Sequence, residues 1–193
     1  MNILPDINKN SKNLEEIYKD LHSHPELGFE EERTSKIVQE KLKEYGVDEI
    51  HTEIGQTGVV GIIKGKNGGG NRRIGLRADM DALPIQEDTG LPFASKVDGK
   101  MHACGHDAHT TMLLGAAKYL AETRNFSGTA ILIFQPAEEG LGGATKMLDD
   151  GLFKKFPCDE IYGIHNNPNG KNGEIGICKG KAMAGAAIFD ISI

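Results

Sequence analysis

The stretch Met101-His-Ala-Cys-Gly-His-Asp-Ala-His109 constrains this chain more than any other, because it crowds one thiol, three imidazoles and one carboxylate into nine residues. Gly105 forbids a regular helix start before His106, and Cys104 and His106 are two apart. Alternate side chains of an extended segment share a face, and both residues can reach one ion without backbone contortion. Thiolate sulfur beside imidazole nitrogen suits zinc and its first-row neighbours rather than magnesium or calcium. A lone Cys-x-His recurs by chance, and a buried cysteine beside surface histidines is the plain alternative. The rest of the chain has to decide between them.

A length of 193 residues allows one domain with a proper core and the start of a second. With 26% charged and 38% hydrophobic residues the composition is that of a soluble globular protein. The net charge is -6 and no basic run exceeds Arg72-Arg73 or Lys154-Lys155, so a nucleic-acid partner is not expected. Lys9, Lys12, Glu15, Glu16 and Lys19 interrupt the first twenty residues, leaving no signal-peptide core, and no later run reaches spanning length, so no membrane association is expected. Three scattered cysteines, Cys104, Cys158 and Cys178, make no disulfide framework, and a reducing cytoplasm is the expected compartment.

Hydrophobic spacing then lays out the elements. Leu14, Ile17, Tyr18 and Leu21 predict an amphipathic helix ending near Pro25. His22 and His24 are read as polar residues fraying its end rather than as a metal pair. Ile37, Val38, Leu42 and Tyr45 predict a second helix over 30–45, closed by Gly46. Residues 49–54, 58–64 and 73–78 read as strands, the last two joined by Asn67-Gly-Gly-Gly70, which is hairpin chemistry. A long ordered loop runs to Met101, of a length that usually carries function. A helix is predicted over 107–123, a strand over 129–134, a helix ended by Gly151, and a strand over 161–164 that stops at His165. Residues 174–178 and 187–193 are strand-like, around a small-residue segment at 180–185. Strands alternating with helices place the chain in the α/β class. The last strand has no turn or partner after it, and the expectation is a molecule cut at that point.

Asp79 and Asp81, Glu138 and Glu139, and His165 each fall at the end of a predicted strand or just past it. In open α/β sheets those loops line the ligand crevice, so the points can converge with Cys104 and His106. Adjacent carboxylates at 138 and 139 would repel if both were buried and charged; a cation beside them removes the penalty. One can bind metal while its neighbour, within reach of a bound water, acts as general base. Asp79 and Asp81 could be metal ligands themselves or carboxylates that orient a ligating imidazole; the second is favoured, since Cys104, His106, Glu139 and His165 already offer oxygen, nitrogen and sulfur donors. His109 is explained equally well as a further ligand or as a polar residue at an exposed helix start. Cys158 and Cys178 have no partners at ligand spacing.

The segments Leu21-His-Ser-His-Pro-Glu-Leu-Gly28, Gly75-Leu-Arg-Ala-Asp-Met-Asp-Ala-Leu-Pro84, His102-Ala-Cys-Gly-His-Asp107, Phe134-Gln-Pro-Ala-Glu-Glu-Gly140 and Gly163-Ile-His165 resemble those of the aminoacylase-type metal-dependent amidohydrolases, a group of the dinuclear metallo-carboxypeptidases. The resemblance runs along nearly the whole chain in order. It implies a three-layer zinc-peptidase-like catalytic domain, with a mostly parallel mixed sheet between helices, truncated at the start of an inserted α+β lid domain. Residues 1–182 would be the N-terminal part of that domain and 183–193 the hinge and first strand of the lid. Cys104 would bridge two divalent ions, zinc or manganese foremost and cobalt or nickel next, with His106, Glu139 and His165 as the other ligands. Glu138 would be the general base, a metal-bridged hydroxide the nucleophile, and the amide of an N-acyl amino acid the substrate. The group continues through a lid that dimerises and returns with another histidine ligand, so this chain alone is expected to bind metal weakly and turn over little. The competing reading is a non-catalytic module in which Cys104, His106 and His165 hold one structural zinc.

Overall fold

The computed structural model describes residues 5–171, 173–181, 183, 185, 189 and 191. After a short helix α1 (Pro5–Asn8) come α2 (Ser11–His22) and α3 (Glu32–Glu44), then strands β1 (Glu49–Ile54), β2 (Gly58–Lys64) and β3 (Arg73–Asp79). The long helix α4 (His106–Thr123) leads to β4 (Thr129–Gln135), followed by α5 (Gly143–Asp149), α6 (Leu152–Lys155) and β5 (Glu160–Gly163). The sheet order is β1-β2-β4-β3-β5, and β2 alone runs against the other strands.

Strand β4, Thr-Ala-Ile-Leu-Ile-Phe-Gln, explains the layers. Its side chains alternate: Ala130, Leu132 and Phe134 join a core with α2, α3 and α4, while Ile131 and Ile133 join Met147, Leu152 and Phe156 from the α5–α6 side. A strand apolar on both faces belongs in the middle of a sheet. Val59 and Ile63 of β2 face the first core and Val60 and Ile62 the second. Helix α3 ends as its sequence requires: Gly46 takes φ 75°, its N–H donates to the Lys43 carbonyl, and the Val47 N–H reaches back to Leu42 at 3.1 Å.

The central position of β4 overturns one expectation. Strands β2 and β3 are not a hairpin, because β4 lies between them and pairs with both, antiparallel to β2 and parallel to β3. The hairpin joins β1 to β2 instead, where Gly55 and Gln56 both take positive φ, at 71° and 76°. Residues 174–178 form no strand; Ile175 and Ile177 are exposed, and no described strand pairs with them. Most of the expected strand over 187–193 lies outside the described residues, as do residues 182 and 184 of the small-residue segment. Among the described residues no helix is long and apolar enough to cross a membrane.

Candidate metal centre

Parallel strands β4, β3 and β5 are neighbours, so their carboxyl ends open on the same edge, and the loops that leave them carry Glu138 and Glu139, Asp79 and Asp81, and His165. Helix α4 approaches this edge with its first turn. Gly105, at φ 92°, occupies its N-cap position, and a side chain there would strike Asn166. Only glycine accommodates both that turn and the close approach of the chain after β5.

His106 is the hub. It is fully buried, and its Nδ1 lies 3.2 Å from Asp81 Oδ1. Its Nε2 has no hydrogen-bond partner, yet lies 3.6 Å from Asp79 Oδ2, 3.8 Å from Glu139 Oε1 and 4.0 Å from Glu138 Oε2. Cys104 Sγ is 3.4 Å from His165 Nε2, whose ring is turned by an Nδ1–H donated to the Asn166 carbonyl at 2.8 Å. Potential ligand atoms of Cys104, His106 and His165 fall within 4.8 Å of one another, as do those of His106, Glu138 and Glu139. Each histidine thus has one nitrogen tied and the other turned inward. That is how an imidazole is prepared to bind a cation.

The electrostatics point the same way. Burial, reinforced by Glu139 and by the charges of Asp79 and Glu138, pushes the Cys104 thiol up to about 12. A thiol among carboxylates is a poor anion on its own, whereas a divalent cation would draw off its proton and offset the clustered negative charge. Burial opposes ionisation of Asp79, but the His109 hydrogen bond and the charges of His106, Arg77 and His109 hold its carboxyl down at about 2. Asp81 is likewise lowered against its burial, by His106 and by backbone N–H groups of Glu139 and Glu138. The donor set of sulfur, imidazole and carboxylate therefore fits a soft to borderline divalent ion.

Behind the hub the structure overturns the reading of His22 and one of the two alternatives for His109, the exposed helix start. His109 is buried rather than exposed: its Nδ1 lies 2.6 Å from Asp79 Oδ1 and its Nε2 accepts the Asn166 N–H at 3.1 Å. Asp79 thereby links β3, α4 and the segment after β5. His22 is no frayed helix end either; it is buried with Nδ1 2.6 Å from Asp107 Oδ2 and Nε2 3.2 Å from Glu87 Oε1. Its second carboxylate comes from the long loop, where Glu87 also accepts the Ser95 N–H at 2.6 Å. A local pattern at the end of α2 could not reveal partners that far along the chain.

Glu31 and His102 were not singled out from sequence. Glu31 is wholly buried and accepts hydrogen bonds from Thr57 and from the Ala137 N–H, and His102 is buried with neither nitrogen partnered. His102 sits in one of the segments that carry the resemblance and Glu31 only in the predicted second helix; the burial of neither was visible.

Comparison with known proteins agrees with this architecture. The chain is 52% identical over 193 residues to the hippurate hydrolase of Campylobacter jejuni, covering all of this chain and 49% of that protein. It is 47% identical over 176 residues to an N-acetylcysteine deacetylase of Bacillus subtilis, covering 91% of this chain and 45% of the relative. The chain thus spans about half the length of the curated relatives it matches. A Bacillus subtilis crystal structure described as a dinuclear metal binding peptidase of family M20 superposes with a TM-score of 0.78 at 46% identity, over 84% of this chain and 45% of the other. The sequence model of Peptidase family M20/M25/M40 matches residues 75–188, a span that runs from β3 through the hub to the segment beyond β5, and the chain belongs to that family.

Proposed function

We propose that this chain is the N-terminal part of a metal-dependent amidohydrolase that cleaves the amide of N-acyl amino acids. The observation that carries the reading is the buried, unpartnered Nε2 of His106, aimed at a cluster of carboxylates beside Cys104 and His165. Cys104, His106, Glu139 and His165 would hold the metal, two divalent ions with zinc or manganese preferred, while Asp81 and Asp79 fix the imidazoles behind them. Ions bound there supply a Lewis acid for the scissile carbonyl and lower the pKa of the attacking water towards about 7.

Glu138 is suited to the proton work. Its side chain is 43% exposed, against 26% for Glu139, so it faces the approach to the site while its neighbour turns inward. Glu138 takes a proton from the attacking water as oxygen bonds to the carbonyl carbon. It returns that proton to the amide nitrogen as the carbon–nitrogen bond breaks, and the product acid gives up its remaining proton to the released amine or to solvent, leaving a carboxylate. The acyl-amino-acid relatives named above support this substrate class. We further infer that residues after about 182 lead into a lid domain through which the full-length protein dimerises, and that a further ligand comes from beyond this chain.

In the full-length protein, Glu138→Gln is expected to keep its metal content and lose about 10²–10⁴-fold in turnover. The measurement is elemental analysis beside an assay panel of N-acetyl, N-benzoyl and N-indoleacetyl amino acids. Undiminished turnover in this variant would remove Glu138 from its role. A panel that yields no hydrolysis with wild type would instead favour a structural zinc site.

A further inference from the structure

Glu138 and Glu139 follow a residue in an unusual state. Ala137 is fully buried and takes φ 50°, a left-handed conformation that a residue with a Cβ keeps only where its surroundings enforce it. Three contacts do so. The Ala137 N–H donates to Glu31 Oε1 at 2.8 Å, the Ala137 carbonyl accepts the Gly143 N–H at 2.9 Å, and a Cβ on Gly28 would lie only 2.9 Å from the Ala137 Cβ. The segment from Glu26 to Glu31 therefore lies directly against the turn that leaves β4.

Glu31 is itself anchored. It sits at the N-cap of α3 and its second oxygen accepts the Thr57 hydroxyl at 2.6 Å, from the β1–β2 hairpin. On the other side of the turn, Asp81 Oδ2 accepts the Glu139 N–H at 2.9 Å. The turn is thus pinned at Ala137 by Glu31 and at Glu139 by Asp81. Asp81 also holds His106, so its removal would disturb the ligand set directly; Glu31 touches none of the ligands.

Resting on the amidohydrolase reading, we propose that Glu31 is a positioning residue for the Glu138 base and the Glu139 ligand, acting through the Ala137 N–H to hold the turn after β4. A carboxylate is not required for this. A glutamine can accept from Ala137 with its amide oxygen and donate to the Thr57 hydroxyl, whereas alanine supplies no acceptor.

The test uses the full-length protein loaded with cobalt(II), whose visible absorption bands report ligand geometry independently of turnover. Glu31→Ala is expected to lower kcat about 10–100-fold with KM little changed, and to shift the cobalt bands. Glu31→Gln should recover most of the turnover and the wild-type spectrum. Combined with Glu138→Gln, the Glu31→Ala loss should be smaller than the product of the two single losses, because both act on one group. Should Glu31→Ala fail to fold, Gly28→Ala displaces the same turn by its clash with Ala137 and is expected to give the same kcat and spectral change. The proposal is overturned if a folded Glu31→Ala or Gly28→Ala keeps wild-type kcat and cobalt bands, if Glu31→Gln is as impaired as Glu31→Ala, or if the losses multiply in full. If the wild type hydrolyses no N-acyl amino acid, the activity reading fails, and the cobalt spectra alone still decide whether Glu31 sets the turn.

Discussion

His102 shows how one side chain can set the acid limit of this fold. Both ring nitrogens are buried without partners, and burial pushes the imidazole down to about 4. An unfolded histidine titrates near 6.5, so the folded state resists protonation that the unfolded chain accepts. The stability that follows is fully present above about 6.5 and is lost as pH falls through that value towards 4, amounting to about 3 kcal/mol. His102→Gln, which cannot titrate, should therefore lose less melting temperature than wild type between pH 7.5 and pH 5. Parallel acid slopes in thermal melts of the two proteins would refute the assignment. His22 is buried too, but between Asp107 and Glu87, and so ties the start of α4 to the long loop.

At the scale of elements, the start of α3 is the junction on which the site leans. Its first N–H groups have no intrahelical acceptor, and Glu26 supplies one from outside: Oε1 accepts the Arg33 N–H at 2.9 Å and Oε2 the Thr34 N–H at 2.8 Å. The Glu26 carbonyl also accepts the Ala82 N–H at 2.8 Å, next to Asp81. Glu26→Ala is expected to cost about 0.5–2 kcal/mol, measurable by urea denaturation, since it removes a helix cap. In the sheet, Phe134 is fully buried against α2, α3 and α4, and Phe134→Ala should cost about 3–5 kcal/mol. A cost below 1 kcal/mol by the same urea measurement would mean that β4 is not the centre of the core.

Across the whole molecule, the candidate ligands come from three separate connections: Cys104 and His106 before and in α4, Glu139 after β4, and His165 after β5. An ion gripped by all three binds the folded chain far better than the unfolded one. At about 100 times its dissociation constant it should add about 2.7 kcal/mol, so chelation is expected to lower the melting temperature. We expect the 193-residue chain to show a smaller chelation effect and weaker metal binding than the full-length protein, measured by calorimetric titration of both. Equal affinities would argue against a further ligand from the rest of the protein.

Local pattern determined much of this protein. The alternation of β4, the periodic apolar residues of α3 with Gly46 at its end, and the thiol and imidazoles clustered around Gly105 are short-range features, and each was legible because one element's own spacing encodes it. The order of the strands was not legible, since β2 and β3 carry hairpin chemistry between them and are separated only by the competition of β4 for the buried centre. The state of each histidine was not legible either. His22, His102 and His109 lie within a few residues of polar neighbours in sequence, yet the burial of all three, and the partners of His22 at 87 and 107 and of His109 at 79 and 166, were decided by packing between distant segments. Spacing along the chain fixes which groups are offered; only the closed sheet and its helices fix which of them are stripped of water and what they then face.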